Sequence, residues 1–178
     1  MKSGLYFTIS GLLIASASVR SETITSIYTN LQEDCKTVEM NSEEDWSVQS
    51  CPGVAGYSLL VEYSDARESV TVVAPNKIQY PLNYSEVISS GFSNLGTKAE
   101  WRIKKVDGII VPIALIVRVN ASENSEDPSK KTSYLAVSKI SDDSICVTDK
   151  IGPISKANEA ARRAADQAFN KACIGKAP

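Results

Sequence analysis

The chain has 178 residues, with 19 basic and 21 acidic side chains for a formal charge of −2, and it contains no histidine. That balance leaves no basic stripe for nucleic acid and no acidic tract suited to storing calcium or to a disordered tail. The missing imidazole excludes Ser-His-Asp and Cys-His nucleophile activation, along with every histidine-containing zinc site.

At the N-terminus, Lys2 precedes an apolar run, Leu5 to Ile14, broken only by Thr8, Ser10 and Gly11. Ala15-Ser16-Ala17 then has the form of a cleavage site, so residues 1–17 are predicted to be a secretory signal peptide. The run is shorter than the roughly 20 residues that span a bilayer, and no second run of that length follows. Residues 18–178 read as a single domain, secreted or periplasmic, with no transmembrane segment once the signal is removed. Four cysteines, Cys35, Cys51, Cys146 and Cys173, are an even set in an exported chain and imply disulfides. Cys35–Cys51 with Cys146–Cys173 is the favoured pairing, since each pair is near in sequence. Pairings that tie the N-terminal part to the C-terminal helix remain open. Oxidised sulfur and the lack of a C-x-x-C spacing remove thiol catalysis and thiolate metal sites, so neither a metal nor another cofactor is expected.

Ile24 to Thr29 reads as the first strand, with its return in the stretch up to Glu39. Asn41 to Asp45 is a polar turn, and Trp46 to Cys51 alternates as a strand that Pro52-Gly53 stops. Tyr57 to Tyr63 and the β-branched run Glu68 to Ala74 form a hairpin around Ser64-Asp65-Ala66, with a short strand at Ile78 to Tyr80. Ser85 is placed to cap a short helix, Glu86–Ser90, with Gly91 at its C′ position. From Ala99 the chain alternates cleanly: Trp101 and Ile103 share one face, Glu100, Arg102 and Lys104 the other. Asp107-Gly108 is a tight-turn signal, and Ile109 to Val119 is apolar at almost every position, as in a strand covered on both faces. Pro112 conflicts with a regular strand there and calls for an edge, a bulge or a later start. Ala121 to Lys131 is an exposed polar loop, and Tyr134–Ile140 with Ile145–Ile151 makes a third hairpin. After Gly152-Pro153 the period changes. Ala157, Ala161, Ala165, Ala168, Phe169 and Ala172 recur at helical spacing, with Ser155 as N-cap and Gly175 ending the helix. The predicted fold is mainly β (α+β): a small antiparallel β barrel or sandwich with a C-terminal α-helix packed across it.

Carboxylate or lysine chemistry is what remains. Glu43, Glu44 and Asp45 are consecutive, so their side chains diverge into solvent. Glu62, Asp65 and Glu68 flank a hairpin loop beside Arg67, where salt bridging of Arg67 to Asp65 or Glu68 is the expected arrangement. A hairpin tip is a poor place for the pocket that paired-carboxylate hydrolysis needs to raise a carboxyl pKa. Gly53 to Gly56 lacks the strand–loop–helix setting of a phosphate cradle. Trp101 alternates onto the core face. Its neighbours Glu100 and Arg102 point the other way, toward cross-strand pairing with Glu62 or Arg118. Arg67, Glu100, Arg102 and Arg118 are therefore the candidate binding face, and no residue is given a catalytic role.

The segments SIYTN, CPGVAGYSLLVEYSDARESVTVV, LGTKAEWR and VPIALIVRV, with the run from Ala157 to Asp166, resemble uncharacterised secreted bacterial proteins of similar length. The resemblance implies a bacterial, periplasmic or extracellular setting and transfers no activity and no site residue. The expected function is a non-catalytic binding domain for a protein or cell-envelope component. Small disulfide-linked β domains that inhibit lysozymes share this general look, at the level of fold alone. The rival readings are a carboxylate-dependent hydrolase using Glu62, Asp65 or Glu100, and a structural envelope protein that docks through its C-terminal helix.

Overall fold

A computed structural model describes residues 23–175, so the predicted signal peptide lies outside the described residues. The elements follow the alternation of the sequence: β1 (Ile24–Asn30), β2 (Lys36–Asn41), β3 (Trp46–Pro52), β4 (Ser58–Ser64), β5 (Arg67–Val73), β6 (Gln79–Pro81), α1 (Tyr84–Val87), β7 (Ser93–Val106), β8 (Ile109–Ser122), β9 (Lys131–Ile140), β10 (Ile145–Ile151) and α2 (Ala157–Asp166). The strands make a single ten-stranded sheet in the order β10-β9-β8-β7-β5-β4-β3-β2, with β1 added to β7 and β6 to β5. The sheet is not closed. Every pairing is antiparallel except the joint between β5 and β7, where Arg67 meets Ser93 in parallel.

Two apolar layers follow. Leu59, Val70 and Val72 from β4 and β5 meet Trp101, Leu115 and Val117 from β7 and β8 in the main core. On the far side of the same strands, Ala114, Ile116, Leu135 and Val137 face Ala161 and Ala165 of α2. The β8 strand thus sends alternate residues into both layers, which is why its sequence is apolar at nearly every position. Alanines on α2 let the helix backbone lie close to the sheet, so the helix's apolar stripe is spent inside the molecule.

Several expectations need correction. The first strand does not return on itself: β1 pairs with β7 and β2 with β3. The short helix α1 begins earlier than Glu86 and makes one turn, with Asn83 rather than Ser85 at its N-cap position and no side-chain cap bond. Pro112 sits inside β8 at a bulge, because Arg102 faces Ala114 while Ile103 faces Pro112. The pairing with β9 starts only at Ala114, so the missing proline N–H leaves no gap on that side. The last helix begins after Lys156, with no side-chain cap from Ser155, and stops at Asp166 rather than running to Gly175. A single 3-10 turn, Ala168–Asn170, follows, and it leaves Phe169 exposed. The stop has a tertiary cause. Cys173 is bonded to Cys146, Lys171 Nζ reaches Asp149 at 2.7 Å, and Ile174 N–H donates to Val147 O at 2.7 Å. These contacts draw the tail back to β10, off the helical path.

The second disulfide joins Cys35 to Cys51, and no cysteine is free. These are the near-neighbour pairs favoured by the sequence. No helix of the described residues is long and apolar enough to cross a membrane.

In the main core, Tyr84 is fully buried with its hydroxyl against Ser138, and neither hydroxyl closes a hydrogen bond of ordinary geometry with a described residue. Burial pushes the Tyr84 phenol well above its ordinary value of 10.0. Its folded-state pKa is raised, so its share of stability is complete below the unfolded value and is lost as the pH climbs beyond it. In urea titrations, Tyr84→Phe is expected to be near neutral at pH 7. Between pH 10 and 12 it should lose less stability than the parent, by up to about 1.4 kcal/mol per pH unit. Ala161→Leu is expected to cost about 1–3 kcal/mol by forcing α2 off the sheet, with the β-type circular dichroism retained.

Candidate functional site

The outward face of β7 carries charge into a nearly dry place. The side chains of Glu100 and Arg102 are only 12% and 10% exposed, and charges so placed must be paired. The α2 helix supplies the partners. Arg102 makes a two-pronged contact with Asp166, Nε to Oδ1 at 2.7 Å and Nη2 to Oδ2 at 2.9 Å. Arg162 does the same to Glu100, Nε to Oε1 at 2.6 Å and Nη2 to Oε2 at 3.2 Å. Ser26 on β1 bridges the two pairs, donating to Glu100 and accepting from Arg102 Nη1, each at 2.5 Å. Tyr28 OH meets Arg162 Nη2 at 3.1 Å. The hydrogen bond that Arg162 donates to Glu100 is the main reason its guanidinium holds its proton even more tightly than usual. Two acids and two bases close a neutral clamp from β7 to α2.

Beyond the N-terminal turn of α2 the same sheet face continues without a cover. It forms a groove of about 540 Å³, whose lining includes Tyr28, Asn94, Lys98, Arg118, Asn120 and Asn158. Its shape comes from an irregularity in β7. Leu95 faces Val119 and Ala99 faces Val117, so β7 spends extra residues opposite Arg118, and such bulges re-aim side chains. Gly96 lies in the bulge, and a Cβ there would stand 2.7 Å from Arg118 Cβ. Only glycine lets Arg118 lie flat across the strand. Arg118 is then fixed by donating to Ser133 Oγ at 2.7 Å and to Asn158 Oδ1 at 2.9 Å.

Of the candidate binding face, the structure brings Glu100, Arg102 and Arg118 to one side of the sheet and leaves Arg67 elsewhere. Arg67 pairs with Asp65 at the hairpin tip, donates to Ser90 O at 3.0 Å, and lies 5.3 Å from the Phe92 ring centre. Neither Glu100 nor Arg102 pairs with Glu62 or Arg118; their partners come from α2, a long-range contact that strand alternation could not show. Glu62 accepts from Thr71 at 3.1 Å and Glu68 from the Leu95 N–H at 2.5 Å, so both serve the sheet. Arg102 is buried in the clamp and is structural. Lys98, Asn158 and Gly96 belong to the groove and were not singled out. The one available signal was Gly-Thr-Lys within an otherwise regular strand, since an isolated glycine there marks a bulge or a close approach.

Among the described residues no group of three or more Asp, Glu or Cys side chains is placed to hold a metal ion. No protein-family model matches the chain, and neither a curated protein nor a solved structure shows significant similarity to it.

Removing one partner of the clamp strands a buried charge, whereas a surface pair matters little. Asp166→Ala is expected to cost about 2–4 kcal/mol in urea denaturation. Glu159→Ala, which breaks only exposed contacts to Lys156 and Arg163, is expected to cost less than about 0.5 kcal/mol.

Proposed function

We propose that the protein is a non-catalytic binding domain, exported to the periplasm or the cell exterior, that engages a protein or a cell-envelope component through the groove beside α2. The observation that carries this reading is the state of the groove. It is preformed, lined by donors and acceptors from β1, β7, β8 and α2, and its one acid, Glu100, has both oxygens held by Arg162. An acid so engaged is set to anchor a helix rather than to shuttle protons, since catalysis needs a carboxyl within reach of substrate and free to exchange. Glu62 and Asp65, the other residues of the hydrolase reading, line an open depression of about 350 Å³ at the hairpin, where Asp65 is tied to Arg67 and Glu62 accepts from Thr71. The subunit-docking reading loses its main support, because the alanine stripe of α2 already packs on the sheet. Two disulfides support an oxidising compartment, and the predicted leader supports export.

The test uses the chain from residue 18 with both disulfides formed, mixed with washed bacterial envelope. Retention is expected, with at least a fivefold loss on Arg118→Gln and no low-molecular-weight product released. Release of product that Glu62→Gln or Glu100→Gln abolishes would establish the hydrolase instead. Equal retention of Arg118→Gln and the parent would remove the groove from the account.

A further inference from the structure

We infer that the groove takes an acidic saccharide, its carboxylate seated between Arg118 and Lys98 and its hydroxyls on the surrounding side-chain amides. This rests on the binding reading above and adds the chemistry of the ligand. The charge count comes first. Lys98, Arg118 and Arg162 are the basic residues lining the groove and Glu100 the acidic one. Glu100 and Arg162 cancel each other, which leaves Arg118 and Lys98 uncompensated in a chain whose overall charge is −2. No described carboxylate pairs with either residue. Arg118 spends two N–H groups on Ser133 and Asn158, both neutral acceptors, and its remaining N–H donors meet no acceptor among the described residues. Lys98 Nζ lies 5.9 Å from the centre of the Tyr28 ring. A half-buried guanidinium fixed by neutral groups is preorganised for an anion, and its planar fork suits a carboxylate.

The rest of the lining selects the body of the ligand. Asn120 and Gln32 make no side-chain hydrogen bond to other described residues, and Asn94 makes only a long contact to Leu95 O at 3.4 Å. Each side-chain amide carries a donor and an acceptor together, as does each sugar hydroxyl, so the two match group for group. An acidic peptide also carries N–H and C=O groups that these amides could meet, so it is a comparison arm of the titration. Tyr28, 48% exposed at the rim, has Lys98 Nζ over its ring and its hydroxyl beside Arg162. About 540 Å³ holds two to three sugar units at a time.

The probe is trigalacturonate, titrated into the oxidised, isotopically labelled chain from residue 18, with amide shifts as readout. Cellotriose, inorganic phosphate and a tetraglutamate peptide are the comparison arms. Expected are shifts confined to residues 28–32, 94–98, 118–120 and 158–162, affinity that falls as salt is raised, and a five- to twentyfold weakening by Arg118→Gln. Lys98→Gln, at an exposed position whose ammonium meets only the exposed Tyr28 ring among the described residues, should weaken binding three- to tenfold. Cellotriose should bind at least tenfold more weakly, and phosphate and the peptide likewise. Cellotriose binding as tightly as trigalacturonate would overturn the anion seat while leaving a binding groove in place. Phosphate or the peptide binding as tightly would overturn the saccharide assignment. Groove amides silent to all four probes would overturn the inference. If envelope retention by the parent still responded to Arg118→Gln, the broader binding reading would survive that result.

Discussion

Glu100 and Arg102 are charged residues on a strand face from which water is nearly excluded, and the rest of the outer architecture depends on satisfying them. Unpaired, each would cost several kcal/mol of desolvation. Paired with Arg162 and Asp166, they determine where α2 lies, at what height along β7, and in which rotational setting. The apolar contact between the alanines and the sheet is non-directional and would tolerate sliding. The two forked ion pairs, linked through Ser26, do not.

Fixing α2 in that way leaves one end of the sheet face bare. The groove exists because the helix is short, because its polar flank reaches β7 at Glu100 and Arg102, and because β7 bulges at Gly96 just beyond. The same strand does opposite things on its two faces. Inward, Trp101 is wholly buried and donates from Nε1 to Thr29 Oγ1 at 3.0 Å, while Thr29 donates on to Pro52 O at 2.8 Å. That chain locks β1 and β3 to the core. Outward, the strand presents the clamp and then the groove. A rigid core under one face is what lets polar side chains on the other be held in place without a ligand.

The tail shows how a tertiary contact overrides a local preference. The alanine-rich periodicity continues past Asp166 to Ala172, and helix propensity alone would carry the helix there. The Cys146–Cys173 bond and the Lys171–Asp149 pair demand that the chain return to β10. A helix of fixed rise could not make both contacts, so it breaks at Gln167, and Phe169 is left in solvent.

Alternation, turn chemistry and period are local properties. They were enough to place most of the strands, though not the start of β7 at Ser93, the end of β8 at Ser122 or the pairing of β2 with β3, and to place the Asp107-Gly108 turn with its positive φ at both residues, the inward face of β7 and the apolar stripe of α2. Near-neighbour cysteines, likewise, could be paired because short loops close at little entropic cost. The partners of Glu100 and Arg102 come from residues more than sixty positions away, and no periodicity encodes which distant element will cover a given face. The bare end of that face, the register slip opposite Arg118 and the seat of Lys98 beside Tyr28 were decided only when helix and sheet came together. A groove is defined by what fails to cover it, and that is a property of the packed molecule rather than of any stretch of chain.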